Sequence, residues 1–448
     1  MDRCKRILRC LVLVLLLRQG LSSANQHHFV RIPLETSDQL RFTGVLHLGS
    51  PPRGVRVVFD TGSSDTWVFS INAAIGDEGQ ASRTFTVGYG GGIVSGVAAP
   101  TDLQLGSGLA DELLLRNVPV GFADDHTLVI PGLDAQGVVG LGMEALAQIH
   151  SNSSVPGLLA QQPERISPLV FSLYISSWAQ AQPASQLIIG GDDPALPTAN
   201  TTWFSFPVVS HNALHSLQSS SQSSKDSYGF WALRVHNLSF GNATLSFGNP
   251  NRNAGVALLD SGTSVLLLSK YTIESIVRVL SAGFGTRLLS PSNDKRALPV
   301  CRPCQAHEFP PLAFDFAMGD STISQRFELQ GSDYVRCNQR HRECTAMIDA
   351  FDPSEVSDHL DDVVILGTVF FRAFYARFDY SNKQVSLACS LDDHAVCRGG
   401  LQPALDYQGH VYEPYSDVQQ PRRSWTGICA ALTALALFAG LRTLLQPY

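Results

Sequence analysis

The chain has 448 residues, 44% hydrophobic and 16% charged, with a net charge of −7. Single cores stop growing near ~250–300 residues, so this length supplies two or three domains. The composition excludes a disordered chain, and the acidic balance gives nucleic acid no electrostatic reason to bind. With 37 Gly and 24 Pro among many Val, Phe, Ser and Thr runs, the chain reads as all-β, with frequent turns and little sustained helical periodicity.

Residues 1–24 read as a signal peptide. Arg3, Lys5, Arg6 and Arg9 precede an apolar run from Leu11 to Leu17, and Arg18 ends that run well short of a membrane span. Ser22-Ser23-Ala24 offers a small-residue cleavage site, so entry to the secretory pathway is expected and Cys4 and Cys10 are removed from the folded protein. From Phe29 to Gly54 apolar and polar residues alternate and meet the turn Gly49-Ser50-Pro51-Pro52, which predicts a hairpin feeding the next strand. That strand carries Val55, Val57, Val58 and Phe59 and ends on Asp60. The turn Thr61-Gly62-Ser63-Ser64 follows, and a second apolar stretch starts at Trp67. Phe85 to Val97 predicts another hairpin, with Tyr89 just before a glycine tip that begins at Gly90. Gly137 to Gly142, with Val138, Val139 and Gly140, predicts a buried strand running into a close backbone approach.

Both marks return in the second half. Val256-Ala257-Leu258-Leu259 delivers Asp260 to the turn Ser261-Gly262-Thr263-Ser264, and Val363 to Leu366 with Gly367 repeats the apolar-apolar-Gly strand. One Asp-Thr-Gly is a weak signal, because a turn after a strand favours those residues anyway. Two copies with matched flanks imply a duplicated lobe. The lobes are expected at 25–182 and 183–391, joined near Ala179 to Pro183, with Ser210 to Ser227 as a Ser/Gln-rich surface loop. Asn152, Asn200, Asn237 and Asn242 each open an Asn-x-Ser/Thr sequon, which makes them candidate glycosylation sites in a secretory lumen. Cys301, Cys304, Cys337, Cys344, Cys389 and Cys397 are an even set, which favours disulfides, and sequence alone leaves all 15 pairings open. A metal or redox role for Cys301-x-x-Cys304 ranks below a structural bridge, and the acidic Asp392-Asp393-His394 reads as a solvated loop, so no metal and no cofactor is expected.

Residues 392–424 read as a stalk and 425–445 as a C-terminal membrane anchor. The apolar run before Arg442 is short beside the ~20 residues a span needs, and Trp425 and a snorkelling Arg442 extend it. The alternative is a lipid-anchor signal with Ser416-Asp417 as the attachment site. The expected location is the secretory pathway or the cell-surface membrane, with the folded part lumenal or extracellular.

Two carboxylates in hydrogen-bond contact cannot both ionise, so they share a proton. One then serves as general base toward a water and the other as general acid toward a carbonyl oxygen, which suffices to hydrolyse an amide. Gly62 and Gly262 let such turns approach, and the hydroxyls of Thr61, Ser63, Ser261 and Thr263 can brace the carboxylates. In these residues, with Trp67, the chain resembles the pepsin-like aspartic proteases from about Phe42 to Ala388. The resemblance implies a bilobal β fold with one aspartate from each lobe in the cleft between them. It also implies Asp60 and Asp260 as the catalytic pair, Tyr89 and Gly90 as a flap over substrate with Tyr89 packing toward Trp67, and polypeptide substrates taken by a monomer.

The chain departs from the family pattern in four places. It has no cysteine pair after Trp67, Ser261 where Thr is commoner, and Gly91 and Ile93 where flap hydroxyls are frequent. Between Asn25 and Leu34 there is almost no room for a basic pro-segment, so no zymogen dependent on one is expected. The leading reading is an aspartic endopeptidase. The alternatives are an inactive relative that holds peptides in the same cleft and a structural surface glycoprotein, which leaves the paired Asp turns unexplained.

Overall fold

The computed structural model describes residues 29–398, except 71–82, 90–91, 107–112, 125–134, 151–153, 161–165, 167, 177–183, 194–195, 197–200, 211–226, 248–253, 290–298, 320–321, 339, 341, 352–361 and 392–395. The signal peptide, most of the stalk, the segment 425–445, Gly90, Asn152 and Asn200 therefore lie outside the described residues. The fold is the all-β, pepsin-like one, its described strands falling into sheets of seven, fifteen and four.

The seven-stranded sheet carries the first Asp turn. Thr43–Leu48 pairs antiparallel with Arg53–Asp60 across the predicted Gly49 to Pro52 turn. Val55, Val57, Val58 and Phe59 are all buried, so the strand is apolar on both faces near its end, as a strand with covered faces must be. Val30–Pro33 does not belong to this hairpin. It pairs antiparallel with Gln186–Ile189 in the fifteen-stranded sheet, because alternation fixes which face of a strand is buried and leaves its partner open.

The fifteen-stranded sheet carries the second Asp turn, with Gly255–Leu259 lying between Ala232–Phe240 and Val363–Leu366. The strands flanking Ala179 to Pro183, Val170–Tyr174 and Gln186–Ile189, are antiparallel neighbours in this sheet, and Val30–Pro33 extends it. Both halves of the sequence thus contribute strands to this one sheet. The short helix Thr368–Ala373 follows Gly367 directly and buries Phe370 against Phe374 and Phe314, with ring centroids 4.9 and 6.1 Å apart.

One long helix, Lys270–Phe284, escaped the sequence reading. Its buried positions Thr272, Ile276, Leu280 and Phe284 recur every four residues, and Ser269 caps it by accepting from Thr272 N at 3.2 Å. The six cysteines form three bridges, Cys301–Cys304, Cys337–Cys344 and Cys389–Cys397.

Candidate active site

Each aspartate leaves its strand beside a parallel neighbour. Arg53–Asp60 runs parallel to Gly137–Gly140 with Asp60 opposite Gly140, and Gly255–Leu259 runs parallel to Val363–Leu366 with Leu259 opposite Leu366. The backbone closes both turns onto those neighbours. Leu141 N donates to Asp60 O at 2.7 Å and Gly142 N to Ser63 O at 2.7 Å. In the other half Asp260 N donates to Leu366 O at 3.0 Å and Thr368 N to Thr263 O at 2.8 Å. A Cβ on Gly140 would lie 2.3 Å from Ser64 C, and one on Gly367 2.3 Å from Val265 O. The apolar-apolar-Gly strands end in glycine because each turn packs directly on their backbone.

The two turns are bolted together by their first residues, Thr61 and Ser261. Thr61 Oγ1 donates to Leu259 O at 2.8 Å and accepts from Ser261 N at 2.9 Å. Ser261 Oγ donates to Phe59 O at 2.6 Å and accepts from Thr61 N at 3.0 Å. Each buried hydroxyl thereby uses its donor and an acceptor across the twofold-like junction, and Ser261 serves as well as Thr because only the hydroxyl is used.

This junction sets the carboxylates face to face. Asp60 Oδ1 accepts from Gly62 N at 2.8 Å and Oδ2 from Ser63 Oγ at 2.5 Å. Asp260 repeats the pattern, accepting from Gly262 N at 2.8 Å and from Thr263 Oγ1 at 2.6 Å. A Cβ on Gly62 would sit 2.5 Å from Asp260 Cγ, and one on Gly262 2.5 Å from Asp60 Oδ1. Each carboxylate therefore lies over the other turn's glycine. Burial, the facing charge of Asp260 and their mutual hydrogen bond push the Asp60 carboxyl well above its ordinary value. The result is a carboxyl pair that retains a proton where ordinary aspartates are ionised, a geometry suited to acid–base work on a water and a carbonyl.

Tyr89 ends the strand Arg83–Tyr89, which pairs antiparallel with Gly92–Leu105. Its hydroxyl accepts from Trp67 Nε1 at 2.6 Å, and the indole is fully buried. Burial and then the charge of Asp60 raise the Tyr89 phenol. Ile93, on the return strand, is 57% exposed.

Two supports were not singled out from sequence. Asp65 is buried and accepts from Gln148 N and Ile149 N at 2.8 and 2.9 Å, fixing the exit of the first turn. Its position inside the apolar exit of that turn was the available signal, since a carboxylate there must find donors. Trp231 Nε1 donates to Leu141 O at 2.8 Å, from far along the chain, and nothing in the sequence marked that contact.

The family model of eukaryotic aspartyl proteases matches residues 41–390. The chain is 25% identical to pepsin A of Suncus murinus over 376 residues, covering 80% of this chain and 82% of that protein. It is 24% identical to gastricsin of Mus musculus, covering 78% and 81%, and 24% identical to cathepsin E-B of Xenopus laevis, covering 83% and 84%. The matched span takes in both Asp turns, both glycine-ended strands and the Tyr89 hairpin. With most of its length inside that span, the chain belongs to the eukaryotic aspartyl protease family.

Proposed function

We propose that this chain is a working aspartic endopeptidase, with Asp60 and Asp260 as its catalytic pair. The observation that carries the reading is the mutual approach of the carboxyls, each held over the opposite glycine at a distance no Cβ would tolerate. In the proposed reaction the pair holds one proton and a water between the carboxyls. The ionised member takes a proton from the water as it attacks the scissile carbonyl, and the protonated member donates to the carbonyl oxygen. The proton then passes to the leaving nitrogen as the C–N bond breaks. Ser63 and Thr263 hold the outer oxygens so that the inner ones face the water. Tyr89, anchored on Trp67, closes with Gly90 over an extended peptide, which adds backbone hydrogen bonds along the cleft.

The same reading places the chain in the secretory pathway, with lobes 25–182 and 183–391 lumenal as a monomer and a stalk at 392–424, of which Cys397–Arg398 is already a strand of the fifteen-stranded sheet, bridged to Cys389. Residues 425–445 hold it at a membrane, the alternative being a lipid attached near Ser416-Asp417. Among the described residues no helix is long and apolar enough to cross a membrane, and the segment in question lies outside them.

The test is digestion of a mixed peptide library from acid to neutral pH, with retention on an immobilised transition-state isostere measured in parallel. Cleavage blocked by the soluble isostere supports the proposal. Retention without cleavage by folded protein at every pH identifies an inactive peptide-binding relative instead.

A further inference from the structure

Two sequons fall among the described residues, and their environments are opposite. Asn237-Leu238-Ser239 lies inside the strand Ala232–Phe240, at a register shift against Leu312–Ala317. Asn237 is half-buried, and its Nδ2 donates to Asp315 Oδ2 at 3.0 Å. Ser239 is buried, and its Oγ accepts from an Arg326 nitrogen at 2.6 Å while the same guanidinium holds Asp315 at 3.2 Å. Both polar side chains of this sequon are thus spent on one internal network. A sugar on Asn237 Nδ2 would compete with Arg326 for the same face of the sheet.

Asn242-Ala243-Thr244 sits at the tip of the adjoining hairpin. Phe240 pairs with Ala243, so Gly241 and Asn242 form a two-residue turn, and Gly241 takes the left-handed φ of 58° that such a turn requires. Asn242 and Thr244 are exposed. Asn242 also borders an open cleft of about 840 Å³, whose lining includes Val279, Pro310 and Pro311. Asn242 is thus exposed beside open space, whereas Asn237 is tied into the sheet.

We propose that Asn242 carries an N-linked glycan and that Asn237, despite an intact sequon, stays bare. The transfer moves the anomeric carbon of an N-acetylglucosamine from a lipid pyrophosphate donor onto Asn242 Nδ2. A C–N bond forms, the C–O bond to pyrophosphate breaks, and Nδ2 releases one proton. The inference rests on the lumenal placement given above, and the experiment separates the two.

The full chain is made in a eukaryotic secretory host, and site occupancy is read by peptide mass spectrometry after amidase release in heavy-oxygen water, which tags each formerly glycosylated Asn. The expected result is Asn242 tagged at least tenfold more than Asn237. Thr244→Ala should remove one glycan's mass, whereas Ser239→Ala should not. Tagging of Asn237 at or above the level of Asn242, or a bare Asn242 in chain whose N-terminal segment has been cleaved, overturns the inference. An uncleaved chain with no sugar at any site overturns the lumenal placement instead.

Discussion

Replacing Gly62 with alanine tests the carboxyl approach without touching a titratable group. The new Cβ would lie 2.5, 2.6 and 2.8 Å from Cγ, Oδ1 and Oδ2 of Asp260. Ordinary contact begins near 3.4 Å, so the opposing carboxyl must retreat by about 1 Å. It has little freedom to do so, since Gly262 N and Thr263 Oγ1 hold its two oxygens at 2.8 and 2.6 Å. Overpacking of this kind costs about 1–3 kcal/mol of stability. A misplacement of about 1 Å between reacting groups costs on the order of 100-fold in rate. Gly62→Ala should therefore remain folded by thermal melting and lose about 100-fold in kcat on a quenched peptide. A folded variant within about threefold of the parent rate would refute the argument that the pair depends on this contact.

Other expectations follow from the same structure. Asp60 is raised above its ordinary value, and burial pushes Asp333 up to about 7, so the folded state binds more protons than the unfolded chain. That stability is complete below the ordinary value of 3.8 and is lost as pH rises toward 7; Glu308, held low by Arg287, acts oppositely and only in more acid solution. Denaturant midpoints should fall between pH 4 and 7, and Asp333→Asn should flatten that slope; an unchanged slope would remove Asp333 from the account. Tyr89→Phe strands the buried Trp67 N–H, which should cost about 1–3 kcal/mol in urea titration and reduce peptide turnover; an unaltered midpoint would mean that the 2.6 Å bond contributes nothing. Gly283→Ala places a Cβ in open space on the helix Lys270–Phe284 and should gain up to about 1 kcal/mol with activity unchanged; a loss of stability would contradict the helical geometry there.

The aspartate strands, the turn glycines and the glycine-ended partner strands were legible because each is local: a short apolar run, a carboxylate and a small residue in fixed order. What joins them was not. The Thr61 and Ser261 hydroxyls were expected to brace the carboxylates, and they bind the backbone of the opposite strand and turn across 198 to 202 residues. The destination of Val30–Pro33 was hidden for a related reason, since its alternation suits any half-buried edge and its partner lies about 155 residues away. Lys270–Phe284 was missed because its apolar positions are separated by Glu274, Ser275, Arg278 and Ser281, which dilute the stripe when read linearly. The disulfide partners needed the folded chain to choose among 15 pairings.

The most direct test of the central claim is a double-mutant comparison of kcat for Asp60→Asn, Asp260→Asn and the two together, on folded protein at the pH where the parent is most active. If the carboxyls act as one proton-sharing unit, each single change should cost about 10³-fold or more, in the range of a lost general acid–base step. The double change should then cost little beyond either one, because the unit is already broken. Independent, multiplying losses, or a single variant that keeps a substantial share of the parent rate, would contradict the account.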